Sequence, residues 1–270
     1  MSRLETLGID AGYAETLILH EIDLAIPDGQ VTILIGPNGS GKSTLLKATA
    51  RILSPVRGHV LLDGRDIHRL DTRAVAAKLG LLPQGPVAPE GLTVRELVGQ
   101  GRFPHQTLFR QWSHADEDAV AEAMAVAGVS DFADRAVDTL SGGQRQRCWV
   151  AMALAQETEL VLLDEPTTFL DLKVQVDLMD LLTGLAHERG RTLVIVLHEL
   201  SLAAAYADYL VMMKQGRIVA TGCPERIFTA GRLHEVFGLR ASILRDPASG
   251  RPVCVPLSAR QKRAESEAAQ

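Results

Sequence analysis

Cysteine is scarce in this chain, which has three in 270 residues. Cys148, Cys223 and Cys254 lie far apart and form no CxxC pair, and neither they nor His234 show the spacing of metal ligands. The sequence therefore predicts neither a disulfide framework nor a zinc knuckle, and Cys223, His234 and Cys254 are interpreted as structural. A reducing cytosol fits this cysteine usage.

Long hydrophobic runs are also missing. The longest apolar stretch, residues 148–155, is far shorter than the roughly 20 residues that span a bilayer. The first ten residues lack the apolar core of a signal peptide. We therefore expect no membrane-spanning segment, and we expect any association with a membrane to be from its surface.

An excess of positive charge is absent as well. The formal net charge is −5, with both signs spread along the chain, so no basic face of the kind that binds duplex nucleic acid is predicted. Apolar residues make up 46% of the composition, enough to bury a substantial core. The composition indicates an ordinary globular protein with no nucleic acid partner.

The first part of the chain reads as strands. Alternating apolar residues over 17–26 and an apolar run over 31–35 indicate two strands joined by a turn at residues 27–29, and hence an antiparallel start. A short strand at 58–62 follows. A helix at 73–78 then leads into a buried strand at 79–82.

The second half alternates strands and helices. Apolar runs at 160–163 and 193–197 are typical of buried parallel strands, and the stripe from Val174 to Leu185 between them is the apolar face of a helix. This βαβ unit predicts an α/β fold. Hairpins are expected at 210–220 and 243–255.

Two further segments have a distinct composition. Residues from about 85 to 140 read mainly as helices and predict a helical subdomain. Residues 258–270 form a polar tail that we expect to be frayed, although Arg260, Lys262 and Arg263 could touch a lipid surface weakly. Residues 1–257 are thus expected to form one domain.

A phosphate-binding loop carries the clearest chemistry. Residues 36–43 fit the pattern G-x-x-x-x-G-K-[ST] between an apolar strand and a helix, the context that this motif requires. Backbone N–H groups and the helix N-terminus would face a polyphosphate, Lys42 would reach the β and γ phosphates, and Ser43 would hold Mg²⁺. The predicted nucleotide-binding residues of this segment are Gly36, Pro37, Asn38, Gly39, Ser40, Gly41, Lys42, Ser43 and Thr44.

Two acids end the apolar run that begins at residue 160. Asp164 and Glu165 precede Pro166, Thr167 and Thr168, so by themselves they fit a helix N-cap as well as a catalytic pair. Beside a phosphate loop, the catalytic interpretation is favoured. Asp164 would then bind the metal ion, and Glu165 would polarise the attacking water.

A second anion-binding motif, LSGGQ, covers residues 140–144 and precedes an apolar helix. Small residues at a helix N-terminus leave backbone N–H groups and the Ser141 hydroxyl free for a γ phosphate. With a phosphate loop about a hundred residues upstream, the sequence closely resembles the ABC ATPase family. The resemblance implies a P-loop NTPase fold, namely an ABC ATPase core with an antiparallel β subdomain and a helical subdomain.

The resemblance also implies roles for individual residues. In the family, the segment containing Ser141, Gly142, Gly143 and Gln144 faces the phosphate loop of a second subunit, so one copy of each motif implies two chains. Tyr13 is expected to stack on adenine, although a lone Tyr after a strand is more often simple packing. Gln84 is expected to sense Mg²⁺ and water, His198 to contact the γ phosphate, and Asp171 to act across the dimer. The implied ligands are ATP and Mg²⁺, and the implied activity is ATP hydrolysis.

Finer patterns resemble the ATPases of ferric-siderophore importers, a group that includes haem and cobalamin importers. The patterns are residues 101–105, 164–172, 197–200 and 246–256. They imply a separate membrane permease, indirectly a substrate-binding protein, and a peripheral location on the cytoplasmic face of the bacterial inner membrane. A metal-ion importer is a further alternative for the cargo.

Two other classes of ABC protein compete with this interpretation. An exporter usually fuses membrane helices to the ATPase and carries an acidic, glycine-containing segment before LSGGQ, where this chain has residues 134–139 instead. A soluble ABC protein acting on ribosomes or DNA usually has two cassettes, a coiled-coil insertion or a basic groove. The sequence shows none of these features.

Overall fold

A computed structural model describes residues 2–106 and 112–258, so the tail with Arg260, Lys262 and Arg263 lies outside the described residues. The strands are β1 Leu4–Tyr13, β2 Thr16–Ile26, β3 Val31–Ile35, β4 Arg57–Leu62, β5 Arg65–Asp66, β6 Leu79–Leu82, β7 Leu160–Asp164, β8 Thr192–Val196, β9 Tyr209–Lys214, β10 Arg217–Gly222, β11 Ala241–Arg245 and β12 Pro252–Pro256. The α-helices are α1 Lys42–Thr49, α2 Thr72–Ala76, α3 Val94–Gly99, α4 His114–Val126, α5 Gly142–Ala155, α6 Leu172–Arg189, α7 Leu200–Tyr206, α8 Pro224–Ile227 and α9 Ala230–Phe237.

A six-stranded sheet forms the centre of the molecule, in the order β10-β9-β3-β8-β7-β6. All neighbours are parallel except the edge strand β10, which pairs antiparallel with β9. Every residue of β3, β7 and β8 is buried, as expected of parallel strands covered on both faces. The α/β fold, the βαβ unit and both predicted hairpins are confirmed.

The smaller sheet, in the order β2-β1-β4-β5, is antiparallel. The start of the chain is therefore antiparallel, but not between the two strands joined by the predicted turn. Strand β2 pairs with β1, and β3 belongs to the large sheet. Because β2 alternates between exposed and buried residues while β3 is buried throughout, the two strands suit different sheets. Strand β1 was not predicted, since its register shifts near Gly8, which has φ 54°, disrupt the alternation.

The large sheet separates two hydrophobic clusters. One face packs against the small sheet and α1, with Leu34, Leu162 and Val196 among the buried residues. The other face packs against the later helices, with Ile33 and Leu163 among them. The sheet is therefore held from both sides, and its strand ends form a fixed edge.

Between β6 and β7 the chain is helical. Helices α3 and α4 pack on each other and on α5, and short 3-10 helices lie at Gln100–His105, Ser130–Phe132 and Val137–Thr139. The limits of the helical subdomain, and residues 1–257 as a single domain, stay predictions. No helix in the described parts of the chain is long and apolar enough to cross a membrane.

A buried ion pair joins this helical segment to the end of α5. Arg102 Nε lies 2.9 Å from Asp116 Oδ1, and the two side chains are only 5% and 6% exposed. The Arg102 Nη1 group also donates to Ala155 O at 2.6 Å and to Glu157 Oε2 at 2.6 Å. The Arg102 guanidinium thus donates hydrogen bonds to three acceptors.

We expect Asp116→Ala to lower the free energy of unfolding by about 3 kcal/mol, because the variant leaves a buried guanidinium without its buried partner. The measurement is urea denaturation. Asp134→Ala is the control, since Asp134 lies 3.6 Å from Arg95 in a pair exposed by 90% and 55%, and it should change the free energy by less than about 0.5 kcal/mol. Equal midpoints for the two variants would contradict a stabilising role of the buried pair.

Candidate nucleotide-binding site

The phosphate loop joins the end of β3 to the start of α1. Gly39 and Gly41 have φ 76° and 99°, the left-handed backbone that favours glycine. A Cβ at Gly36 would lie 2.3 Å from Met213 O, and one at Gly41 would lie 2.8 Å from Leu19 Cδ2. A side chain at Gly36 or Gly41 would therefore collide with neighbouring atoms, which explains why the motif has glycine at these two positions.

Lys42 is folded back over this loop. Its Nζ donates to Gly36 O at 2.9 Å and to Pro37 O at 3.3 Å, and the residue is 5% exposed. Burial lowers the pKa of the Lys42 ammonium, although the carboxylates of Glu165 and Asp164 act in the opposite direction. Among the described residues, the hydrogen-bond acceptors of this ammonium are backbone carbonyls, which an anionic phosphate can replace.

Asp164 ends β7 beside the N-terminus of α1. Ser43 Oγ donates to Asp164 Oδ1 at 2.8 Å. Burial raises the pKa of the Asp164 carboxyl, while the hydrogen bond from Ser43 lowers it. The Ser43 hydroxyl contacts the Asp164 carboxylate and shares a cleft with the Gln84 amide. These three groups offer the oxygen donors that Mg²⁺ prefers. The residues present therefore fit the metal ion.

Glu165 lies at the centre of the site. Its Oε2 accepts from Gln84 Nε2 at 2.6 Å and from Thr168 Oγ1 at 3.2 Å, and its Oε1 lies 2.5 Å from His198 Nε2. Glu165 itself has φ 53°, an uncommon backbone conformation for a residue other than glycine. The three partners come from the ends of β6 and β8 and from the turn after β7.

The helix-cap alternative for the two acids does not describe the structure. The next helix, α6, has Asp171 as its N-cap, and the Asp171 side chain accepts from Val174 N at 3.0 Å. Asp164 is instead hydrogen-bonded to Ser43, and Glu165 is hydrogen-bonded to Gln84 and His198. Neither acid serves the helix.

Residues of the phosphate loop line a cleft of about 610 Å³ together with Gln84, Glu165 and His198. Tyr13 lies on it with 47% of its surface exposed, and Lys47 Nζ is 6.0 Å from the centre of the ring. An exposed ring on a cleft wall is more consistent with stacking on a base than with core packing. The lining residues are Tyr13, Ile18, Asn38, Gly39, Gly41, Lys42, Ser43, Thr44, Gln84, Glu165, Thr168 and His198.

The LSGGQ motif at residues 140–144, called the signature segment below, does not line this cleft. Ser141 caps α5, where Gln144 N donates to Ser141 Oγ at 3.3 Å and Ser141 N donates to Gln144 Oε1 at 3.1 Å. Together with Asp171 the segment lines a second cleft, of about 500 Å³. A Cβ at Gly143 would lie 3.0 Å from Val174 Cγ1, so glycine lets α5 approach α6 there. Within one chain, the two phosphate-binding motifs therefore face different spaces.

Some lining residues were not predicted. Ile18 and Thr168 lie on the first cleft, and Phe132, Arg147 and Phe169 lie on the second. Of these residues, only Thr168 could have been predicted from the sequence, because it follows Glu165 by three residues in a Pro-containing turn. The others depend on contacts between distant segments.

Comparisons with known proteins agree with this geometry. The ABC transporter family matches residues 19–168. The chain is 51% identical over 95% of its length to the probable siderophore transport system ATP-binding protein YusV of Bacillus subtilis, covering 93% of that protein. It is 48% identical to the ferric enterobactin transport ATP-binding protein FepC of Escherichia coli, with 95% of each chain covered.

A solved structure extends the comparison to the fold. The dimeric structure of MJ0796, a bacterial ABC transporter cassette, superposes with a TM-score of 0.72 and 29% identity, covering 82% of this chain and 98% of that one. The family match covers more than half of the chain, and the sequence relatives cover nearly all of it. The chain therefore belongs to the ABC transporter family, as one of its ATP-binding subunits.

Proposed function

We propose that this chain binds and hydrolyses ATP as one of two identical subunits that drive import of a ferric siderophore through a separate membrane permease. The observation that carries the proposal is the Glu165 carboxylate, held between Gln84 and His198 beside the phosphate loop. A base in this position can accept a proton from a water molecule that attacks a γ phosphate.

The metal ion would be held by Ser43, Asp164 and the Gln84 amide oxygen. When bound, Mg²⁺ supplies positive charge that neutralises the phosphate oxygens. Lys42 moves its ammonium from the Gly36 and Pro37 carbonyls to the phosphates, and the backbone N–H groups of residues 38–44 surround them.

In the hydrolytic step, the chain positions water and takes up its proton. Glu165 accepts a proton from the water as the new P–O bond forms and the bond to the ADP oxygen breaks. His198, 37% exposed at the cleft, is placed to contact the γ phosphate and to orient the carboxylate. Gln84 detects hydrolysis through its hydrogen bond to Glu165 and transmits this signal toward the permease.

A second copy of the chain completes each site. The cleft with Ser141, Gly142, Gly143 and Gln144 offers a helix N-terminus to an anion, but the chain's own phosphate loop lies on the other cleft. Two copies related by a twofold axis would place each signature segment against the partner's phosphate loop. The dimeric MJ0796 cassette supports such a pairing.

The cargo, the partners and the location follow from the relatives. FepC is a ferric enterobactin transport subunit and YusV a probable siderophore transport subunit, which supports a ferric siderophore over haem, cobalamin or a metal ion. The chain would lie on the cytoplasmic face of the bacterial inner membrane, bound to its permease, with a substrate-binding protein delivering the chelate on the far side. None of these observations favours a soluble ABC protein that acts on ribosomes or DNA.

The permease partnership is tested by purification from membranes. We expect the tagged chain to copurify with an integral membrane protein, and a ferric siderophore with its binding protein to stimulate ATP hydrolysis by the reconstituted complex. Haem, cobalamin and free metal ions serve as matched cargo controls. Stimulation by ribosomes or DNA, with no membrane protein retained, would contradict a transport function.

For Glu165→Gln we expect ATP binding to be kept while hydrolysis falls by roughly 10²-fold or more, the scale of a lost general base. The amide keeps the shape of the side chain but cannot accept the proton. Nucleotide titration and phosphate release measure the two effects separately. Glu199→Gln is the control, because Glu199 contacts Thr167 at 3.4 Å and does not line the cleft. Near-normal turnover in Glu165→Gln would reject the role of Glu165.

A mixed dimer tests the facing pair. With Ser141→Arg in one chain only, we expect loss of the nucleotide held by the partner's phosphate loop, because the arginine fills the signature cleft that closes over it. Differently tagged chains and photo-crosslinked ATP show which phosphate loop has lost its nucleotide. Loss of only the mutant chain's own nucleotide would show that the two copies do not face each other in this way.

A further inference from the structure

The Tyr13 ring stands at the tip of the hairpin formed by β1 and β2. Tyr13 is the last residue of β1 and pairs with the first residue of β2, Thr16, so the turn contains two residues. Ala14 in this turn has φ 50°, and a Cβ at Gly12 would lie 2.0 Å from Thr16 O. The backbone under the ring is therefore tightly turned, while 47% of the Tyr13 surface is exposed.

Lys47 approaches this ring from α1. Its Nζ lies over the Tyr13 ring, 6.0 Å from the centre, which is the distance at which an ammonium is attracted to an aromatic face. The backbone at Lys47 is held in place, because its carbonyl accepts hydrogen bonds from Ile52 N at 2.9 Å and from Leu53 N at 3.1 Å. Within residues 2–106 and 112–258, the Lys47 ammonium has no hydrogen bond and no salt bridge, so the ring is its nearest partner.

The charge of Lys47 also acts on two other parts of the molecule. Lys47 lies in the last turn of α1, where a positive charge stabilises a helix. Burial raises the pKa of the Asp164 carboxyl, and the charge of Lys47 is among those that oppose this increase. The first effect concerns folding and the second concerns the metal site, whereas the contact with Tyr13 concerns the part of the cleft that would hold a base.

Helix α1 connects the contact with Tyr13 to the phosphate loop. Lys47 follows Lys42, the first residue of α1, by five residues, which is about 7.5 Å along the helix axis. Lys42 and Tyr13 both line the first cleft. The same helix therefore presents its N-terminus to the phosphates and, more than one turn later, a cation to the aromatic ring, so α1 sets the distance between the phosphate contacts and the ring.

We propose that Lys47 is a positioning residue for the nucleotide base, whose ammonium holds one face of the Tyr13 ring so that the opposite face is presented to adenine. This inference rests on the ATP site of the proposed function. A half-exposed ring at a hairpin tip loses freedom of movement when a base stacks on it, and a ring that is already held loses less. Lys47 thus acts through Tyr13 and does not touch the reacting atoms.

The test measures nucleotide affinity by calorimetric titration of full-length chains with Mg²⁺, in a Glu165→Gln background that avoids rapid turnover. We expect Lys47→Met to raise the dissociation constant for ATP roughly threefold, the scale of an exposed contact between a cation and an aromatic ring. The dissociation constant for inorganic tripolyphosphate, which has no base to stack on Tyr13, should stay unchanged. Lys47→Arg keeps the cation and should retain the affinity for ATP.

A double-mutant cycle and a second lysine serve as controls. In a Tyr13→Leu chain, the further change Lys47→Met should leave the affinity for ATP as it is, because the ring through which Lys47 acts is gone. Lys78→Met removes a lysine that pairs with Asp63 and does not line the first cleft, and it should not change the affinity for ATP. The melting temperature of Lys47→Met should equal that of its parent.

Three results would overturn the proposal. The first is an unchanged affinity for ATP in Lys47→Met. The second is an equal loss of affinity for ATP and tripolyphosphate, which would show that Lys47 acts on the phosphates or the metal ion. The third is an equal loss with and without the Tyr13 ring, or a loss that a lower melting temperature accounts for. If the Glu165→Gln parent bound no ATP, the proposed ATP site itself would be rejected, so the two failures are distinguishable.

Discussion

Parallel pairing of β3, β7 and β8 is the constraint on which the site depends. Their register aligns Leu34 with Val196 and Val196 with Asp164, so the three strands end at one edge of the sheet. The phosphate loop follows β3, Asp164 is the last residue of β7 with Glu165 next to it, and His198 lies just after β8. Because both faces of the sheet are covered by hydrophobic clusters, this edge is held rigidly enough to fix side chains more than a hundred residues apart in sequence.

Much of this edge could be predicted from the sequence because its signals are local. A buried parallel strand is a short apolar run, and the phosphate loop has fixed glycine spacing. The roles of Gln84 and His198 came only from resemblance to a family. No local pattern marks them, and their contacts with Glu165 span 81 and 33 residues.

The failures of sequence-based prediction have a physical basis as well. Strand β1 escaped prediction because its bulges interrupt the alternation of exposed and buried residues. The turn at residues 27–29 predicts two neighbouring strands, but in the structure it connects two different sheets, since strand pairing depends on which face each strand can bury.

Several polar side chains of the site are bonded to other groups of the chain, whereas the buried Ser40 hydroxyl of the phosphate loop has no hydrogen-bond partner among the described residues. Lys42 is bound to two carbonyls, Ser43 to Asp164, and Gln84 and His198 to Glu165. At these bonded side chains, ATP and Mg²⁺ would exchange existing hydrogen bonds for new ones, and the net gain per exchanged bond is modest. In the proposed dimer, the contacts that the partner makes at the signature segment would contribute further free energy to closing the two chains around ATP.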